Sequence, residues 1–371
     1  MKLRQEILKD VKRVVVKLGT GLLTDAQNQL SEQKIEQLVT QIVGLHQQHK
    51  QVIVVSSGAI GAGMERMSLK QRPKRLDELQ AAAAIGQIRL MAIYDRLFAK
   101  HDTTVAQILL THDDVMERRY RYLNVRNTLE QLLKLGVVPI INENDTVAVE
   151  EIKFGDNDRL AALTATLIDA DLLVVLSHVE GLYANPCGRG IPAPTGRDKN
   201  VAPTIIHTVA EITPEIESLA GGTDRRTSVG GMKSKVEAAK IMTRAGIPMI
   251  VASGERPNVL ADVLAGEEVG TIFLPKTTKL ESRKRWIAFF QKPTGALIVD
   301  EGAKQALCVN GKSLLAKGVV RIDGKFERGD VVSIRDKNDV EFARGLAKVG
   351  GGEGLEAETG VVVHRDDLVI L

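Results

Sequence analysis

Cysteine is almost missing from this chain: Cys187 and Cys308 are the only two in 371 residues, far apart and without the paired spacing of a zinc or redox site. Both read as incidental. Aromatic residues are equally scarce, at 3%, which leaves few platforms on which the bases of a single-stranded nucleic acid could stack. An excess of one charge is also lacking. Fifty basic residues face 47 acidic ones, a net charge of +3, which argues against a chain that coats nucleic acid but leaves room for a local basic patch. The basic stretch Ser282 to Trp286 (SRKRW) reads as a solvated linker. No apolar run approaches the ~20 residues a membrane-spanning helix needs. The opening MKLRQEILKD is charged, with no signal-like apolar stretch, so a cytoplasmic location without a membrane partner is expected.

What is present is ordinary in bulk and ordered in pattern. Length predicts two or three domains, and shares of 44% apolar and 26% charged residues match a soluble globular protein. Over three quarters of the chain, short β-branched runs alternate with longer helical stretches, which predicts an α/β fold: a mainly parallel sheet between helix layers. The strand-like runs are Arg13 to Lys17, Gln51 to Val55, Val105 to Leu110, Val137 to Ile141, Leu172 to Leu176 and Met249 to Ala252. Their apolar character suits strands buried on both faces. Helical patterns cover Ser31 to His49, Leu79 to Lys100, Val125 to Leu135, Arg159 to Ile168 and Lys233 to Ala245. The first carries the stripe Ile35, Leu38, Val39 and Ile42, with Ser31 as N-cap and Lys34 where a full capping box needs Glu.

The pattern breaks near Pro275. A polar, basic stretch follows, then short strands between glycine turns: Ala296 to Val299, Val319 to Ile322, Asp330 to Ile334 and Val361 to Val363, with a glycine cluster at 350–354. The expected organisation is one domain over residues 1–275, a linker over 276–292 and a small β-rich domain over 293–371.

In an open parallel sheet, ligands bind beyond the carboxyl ends of the strands. The segments there are VVVKLGTG (Val14 to Gly21), SSGAIGAG (Ser56 to Gly63), NENDTV (Asn142 to Val147) and GDND (Gly155 to Asp158). Taken singly, such glycines are turn-formers and such Asn/Asp clusters are loops. Small or acidic loops at several strand ends on one edge are what an active-site rim requires. VGGMKSK (Val229 to Lys235) is the strongest segment: glycines expose N–H groups at a helix start, and lysines in a first turn oppose the helix dipole unless an anion is held there. Other motifs fail. Asn310 to Ser313 carries a Walker tail but has Ala306 at the first glycine, so it reads as a turn. No GxGxxG opens a helix after a strand, and the histidines read as helix, loop and tail residues, so no serine or cysteine triad is expected.

The ordered set VVVKLGTG, VVSSGAIGAG, NENDTVA with EIKFGDND, EGLY (Glu180 to Tyr183), GGMKSK and GTIFLP resembles the amino-acid kinase family, in its glutamate-phosphorylating branch. The tail, with DEGA (Asp300 to Ala303), GKSLLAKGV and VVVHRDDL, resembles a PUA domain. The resemblance implies ATP with Mg²⁺ as phosphoryl donor, L-glutamate as acceptor and a catalytic set of Lys17, Lys235 and Asp158. It implies Ser57, Asp145 and Asn157 around the glutamate, with Asp156 close by. It implies Lys17, Gly19, Ser177, Gly230, Gly231, Met232, Lys233, Ser234 and Lys235 around the nucleotide. It further implies the first step of proline biosynthesis, proline as feedback inhibitor and a homo-oligomer. Two departures fall on the nucleotide side. Ser177-His178 stands where the family usually has Thr-Asp, and Ser228-Val229 where it has Gly-Thr.

The chemistry agrees with the missing histidines. A carboxylate acceptor is already ionised at neutral pH and needs no general base. It needs cancellation of the repulsion between two anions held in line, which lysines and glycine-loop N–H groups provide. Two rivals remain open on the residues alone: a kinase of the same fold acting on aspartate, N-acetylglutamate, carbamate or a nucleotide, and an RNA-binding protein working through the tail. Few aromatics and a small net charge count against the second.

Overall fold

The computed structural model describes residues 2–25, 27, 29–69, 71–111, 114, 119–148, 157–184, 204–221, 231–275, 284, 287–288, 293–351 and 360–371. The chain divides into two compact units, Met1–His112 with Leu123–Thr278 and Asp113–Tyr122 with Lys279–Leu371. Most of the expected linker, 276–292, lies outside the described residues.

In order, the chain forms α1 (Lys2–Leu8), β1 (Arg13–Leu18), α2 (Thr20–Leu23), α3 (Glu32–Gln47), β2 (Gln51–Val55), α4 (Ala59–Arg66), α5 (Leu76–Ala99), β3 (Val105–Leu110), α6 (Arg119–Lys134) and β4 (Val138–Glu143). It continues through α7 (Asn157–Leu167), β5 (Leu172–Ser177), β6 (Thr208–Val209), α8 (Pro214–Ala220), α9 (Met232–Arg244), β7 (Met249–Ser253), α10 (Val259–Leu264) and β8 (Thr271–Phe273). The eight strands form one sheet in the order β3-β4-β2-β1-β5-β7-β8-β6, with β1 in its interior. Pairing is parallel except between β7 and β8.

Side chains alternate across a strand, and β1 is buried on both faces. Val14 and Val16 join a core with Ile35, Leu38 and Ile42 of α3 and Leu90 and Tyr94 of α5. Val15 and Lys17 therefore face the other side, where α7 packs on β1. All four residues of the α3 stripe are buried, and the Ser31 hydroxyl accepts from the Lys34 N–H at 3.4 Å. Strand β3 departs from the expectation of burial on both faces. It is the edge of the sheet, Gln107 is exposed and only Leu110 is fully buried.

Helices α4 and α5 meet at backbone distance. A Cβ on Gly63 would overlap the Ala82 carbonyl, and one on Gly86 would overlap the Ala59 carbonyl. Glycine at both positions lets the helices touch, and this fixes where α4 begins.

The second unit holds β9 (Gly295–Val299), α11 (Glu301–Cys308), β10 (Leu314–Leu315), β11 (Val319–Gly324), β12 (Val331–Arg335), β13 (Glu341–Ala347) and β14 (Val361–Ile370). They make a six-stranded sheet, β10-β14-β13-β12-β9-β11, around Leu297, Val299, Leu307, Val332, Ile334 and Val363. The Asp300 carboxylate caps α11, accepting from the Ala303 N–H at 2.7 Å. The Walker-like segment is a turn in which Gly311 has φ +56°. Cys308 is an exposed free thiol, and Cys187 lies outside the described residues. Among the described residues, no helix is long and apolar enough to cross a membrane.

Candidate active site

Register brings the first half of the site together. Lys17 pairs with Val55 on one side and Val175 on the other, so the residues leaving β2 (Ser56, Ser57) and β5 (Ser177) flank it at the carboxyl edge. Asp158, in the first turn of α7, and Lys235, in the first turn of α9, come from two helices that pack together. Lys17 Nζ lies 2.6 Å from Asp158 Oδ1, and Lys235 Nζ lies 3.0 Å from Asp158 Oδ2. Ser234 Oγ is 2.8 Å from Asp158 Oδ2 and 2.8 Å from the Gly231 carbonyl oxygen. The three charged side chains are 6%, 0% and 4% exposed for Lys17, Asp158 and Lys235.

Buried charges hold only when paired and hydrogen-bonded. Burial by itself would raise the Asp158 pKa, but the charges and hydrogen bonds of Lys17 and Lys235 outweigh it and keep the carboxyl below the usual carboxylate range. Taken by themselves, these three side chains sum to one positive charge in a region of low dielectric. Such a point attracts anions strongly.

Around it, the Gly19 N–H donates to the Leu176 carbonyl at 3.2 Å, and a Cβ on Gly19 would stand 4.0 Å from Lys17 Nζ. Ser177 is buried at the end of β5. His178 is exposed, with Nδ1 4.0 Å from where a Gly21 Cβ would be, so it borders the start of α2. Gly231 is the N-cap of α9. Of the two lysines in that first turn, Lys235 turns inward, whereas Lys233 is exposed and Met232 half-buried. Gly230, Ser228 and Val229 lie outside the described residues.

The second half is a pocket lined by Thr20, Ser57, Gly58 to Gly61, Arg72, Asn142, Glu143, Asp145 and Asn157. Its floor is an amide network. The Asn157 amide donates to Asn142 Oδ1 at 2.9 Å and to Ser57 Oγ at 3.1 Å, and also reaches the Ser56 carbonyl. Asn142 in turn donates to Gln87 Oε1 at 2.8 Å, and its Oδ1 also accepts from the Glu143 N–H at 2.9 Å. Because Asn157 and Asp158 are consecutive at the start of α7, the pocket adjoins the lysine pair. One wall is the first turn of α4, whose N–H groups have no acceptor within the helix. Gly58 precedes it at φ +101°, a conformation that side chains disfavour.

Asp145 sits in the turn after β4. Burial drives its pKa up to about 6, against an opposing pull from Arg72. Asp156, expected nearby, lies outside the described residues.

Sequence reasoning missed Gln87, Arg72 and Glu143. Gln87 left a legible trace: it is a polar residue on the apolar stripe of α5 that includes Ala83, Leu90 and Tyr94. Glu143 lies within the NENDTV segment but was not singled out there, and Arg72 left no trace, since a loop arginine is commonplace.

The cluster suits a nucleotide's terminal phosphates, with fixed buried cations beside the N-terminus of α9. For a divalent cation the fit is different. Both oxygens of Asp158 are engaged by lysines, and among the described residues no group of three or more His, Cys, Asp or Glu could hold a metal.

Comparison with known proteins agrees with this arrangement. Residues 12–253 match the model of the amino acid kinase family, and residues 295–368 match that of the PUA domain. The chain is 44% identical over 385 residues to a glutamate 5-kinase of Pelobacter propionicus, covering 100% of both chains. It is 46% identical over 380 residues to that of Moorella thermoacetica, covering 98% of this chain and 97% of the relative. It is 43% identical over 385 residues to that of Citrifermentans bemidjiense, again covering 100% of both. With matches that run end to end and both domains present in order, the chain belongs to the amino acid kinase family, among the glutamate 5-kinases that carry a PUA domain.

Proposed function

We propose that Lys17 and Lys235, held apart and aimed by Asp158, are the charge clamp for transfer of the ATP γ-phosphoryl group to the side-chain carboxylate of L-glutamate, the reaction of the chain's family. The observation that carries this reading is the buried Lys17–Asp158–Lys235 cluster beside a pocket floored by Ser57 and Asn157. An oxygen of the acceptor carboxylate attacks the γ-phosphorus. That O–P bond forms as the bond from the γ-phosphorus to the β,γ-bridging oxygen breaks, giving glutamyl 5-phosphate and ADP.

No proton need leave the acceptor, so the lysines act as charge rather than as bases. One faces the transferring group from β1 and the other from α9, lowering repulsion between acceptor and donor. Gly19, Ser177, Gly231, Met232, Lys233 and Ser234 would surround the donor phosphates, with Gly230 completing the loop. Mg²⁺ would travel on the nucleotide phosphates and neutralise their charge. Ser57, Asn157, Asp145 and Asp156 would hold glutamate, with the Asp145 carboxylate receiving its α-ammonium group.

Residues 1–275 form the kinase domain and 293–371 the PUA domain, joined by 276–292. The assembly is a homo-oligomer that works in the cytoplasm at the first step of proline biosynthesis, under feedback by proline. The PUA domain serves regulation or assembly rather than RNA binding. Deleting the residues after Pro275 should then leave measurable kinase activity.

The test of the clamp is turnover of purified Lys17→Ala and Lys235→Ala. Removing one stabilising donor from a desolvated site costs about 10²–10³-fold in kcat, with circular dichroism unchanged. Turnover near that of the parent protein in both variants would sink the mechanism.

A further inference from the structure

Building on the acceptor-pocket reading above, we infer that Arg72 receives the α-carboxylate of the acceptor and, together with Asp145, makes the site select a free zwitterionic amino acid. Glutamate at neutral pH carries two carboxylates and one ammonium group. The pocket that would take it presents two acidic side chains, Glu143 and Asp145. An acidic pocket repels a dicarboxylate unless a cation meets each carboxylate. The side-chain carboxylate has the lysine pair beyond Asn157. For the α-carboxylate, the lining offers one cationic side chain among the described residues, Arg72.

Arg72 is well placed for this. It lies in the loop between α4 and α5, and its guanidinium is electrostatically coupled to Asp145. An amino-acid head group holds its ammonium and carboxylate on one carbon. A neighbouring acid and base of the protein match that pair of opposite charges, Asp145 to the ammonium and Arg72 to the carboxylate. A guanidinium offers paired N–H donors in the plane a carboxylate presents. Ala59 to Gly61, the first turn of α4, line the same pocket, and their N–H groups, which have no acceptor within the helix, add donors of the same sign.

The consequence is specificity. An acceptor with an acylated nitrogen leaves Asp145 facing no ammonium, and an acceptor with an amidated α-carboxyl leaves Arg72 facing no anion. In each case a pocket charge loses its match, half-buried Asp145 in the first and the exposed guanidinium of Arg72 at the rim in the second, which is how polar sites reject close analogues.

Steady-state kinetics of the full-length protein with glutamate, its α-amide and its N-acetyl derivative test the assignment. Arg72→Gln should raise the KM for glutamate about tenfold to a hundredfold, the value of a charge-assisted hydrogen bond, leaving the KM for ATP within about twofold. It should also collapse the preference in kcat/KM for glutamate over the α-amide while keeping the preference over the N-acetyl compound. Arg72→Lys should restore part of both effects, which a merely structural role would not predict. Asp145→Asn should do the converse, relaxing discrimination against the N-acetyl acceptor. If Arg72→Gln leaves both the glutamate KM and the α-amide ratio unchanged while Asp145→Asn acts as stated, the role of Arg72 is overturned and the pocket stands. If neither variant moves the glutamate KM, the acceptor pocket itself is wrong and the inference falls with it.

Discussion

Two aspartates of this site respond to burial in opposite ways. Asp158 is fully enclosed, yet its pKa lies below the usual carboxylate range, whereas Asp145 is less enclosed and its pKa is pushed up to about 6. Burial opposes the charge in both, so the difference lies in their partners. Asp158 has an ammonium group against each oxygen at 2.6 and 3.0 Å. Asp145 has the pull of one guanidinium at the pocket rim. In the proposed mechanism the phosphoryl side is thus assembled in advance, with its charges already paired. The acceptor side holds an acid whose charge is incompletely supported until a cationic group arrives.

The harshest way to break the contrast is Asp158→Asn. It removes the anion from between two buried ammonium groups, and losing one partner of a buried ion pair costs about 3–5 kcal/mol. We expect loss of turnover by orders of magnitude with a lowered urea midpoint; an unchanged midpoint would mean that the cluster is more solvated than its burial indicates.

Asp145 should behave in the reverse sense. Its folded pKa lies above the ordinary value near 3.8, so between about pH 4 and pH 6 the folded protein keeps a proton that the unfolded chain has released. Stability therefore falls as pH rises through that window, and the penalty is fully present above it. Asp145→Asn should raise Tm at pH 8 while weakening glutamate binding about tenfold or more, a trade of stability for function. In the parent protein the KM for glutamate should climb as pH falls below about 6, as the carboxylate is lost. Arg72 and Glu143 share the pocket, so the control is the Asp145→Asn variant, in which this climb should flatten.

Smaller effects test the scaffold. Gly86→Ala forces a Cβ into the Ala59 carbonyl, and relief requires α4 to shift at the end that lines the pocket. Overpacking of this kind costs about 1–3 kcal/mol, and the glutamate KM should rise with little change for ATP. Gln87→Leu deprives the Asn142 amide of its 2.8 Å acceptor, with a cost of about 1–3 kcal/mol for a buried unsatisfied donor. Ser31→Ala removes only the cap of α3, about 1 kcal/mol, and should leave both KM values alone.

Much of this was legible along the chain. The apolar runs of β1, β2, β4, β5 and β7 stood out because strands buried on both faces are continuous in β-branched residues, and glycines at their ends marked the ligand edge. The elements that escaped notice are those whose stability comes from neighbours. Strand β6 has two residues, too few for any period, and β8 has three. Strand β13, EFARGLA, has no β-branched residue and is held by pairing on both sides. Helix α11 lies within a tail that otherwise reads as strands, and its Asp300 cap was the available sign.

The α/β fold class with a small β-rich tail could be read along the chain, because periodicity and glycine placement act locally. Tertiary structure alone decided which of its residues meet. Lys17 and Lys235 are 218 positions apart, and only the packing of α7 on β1 and on α9 brings both to Asp158. It also decided that Lys235 turns inward while Lys233 faces solvent, and that Asp158 and Asp145 differ. Charge state depends on distance and desolvation, which residue types do not encode.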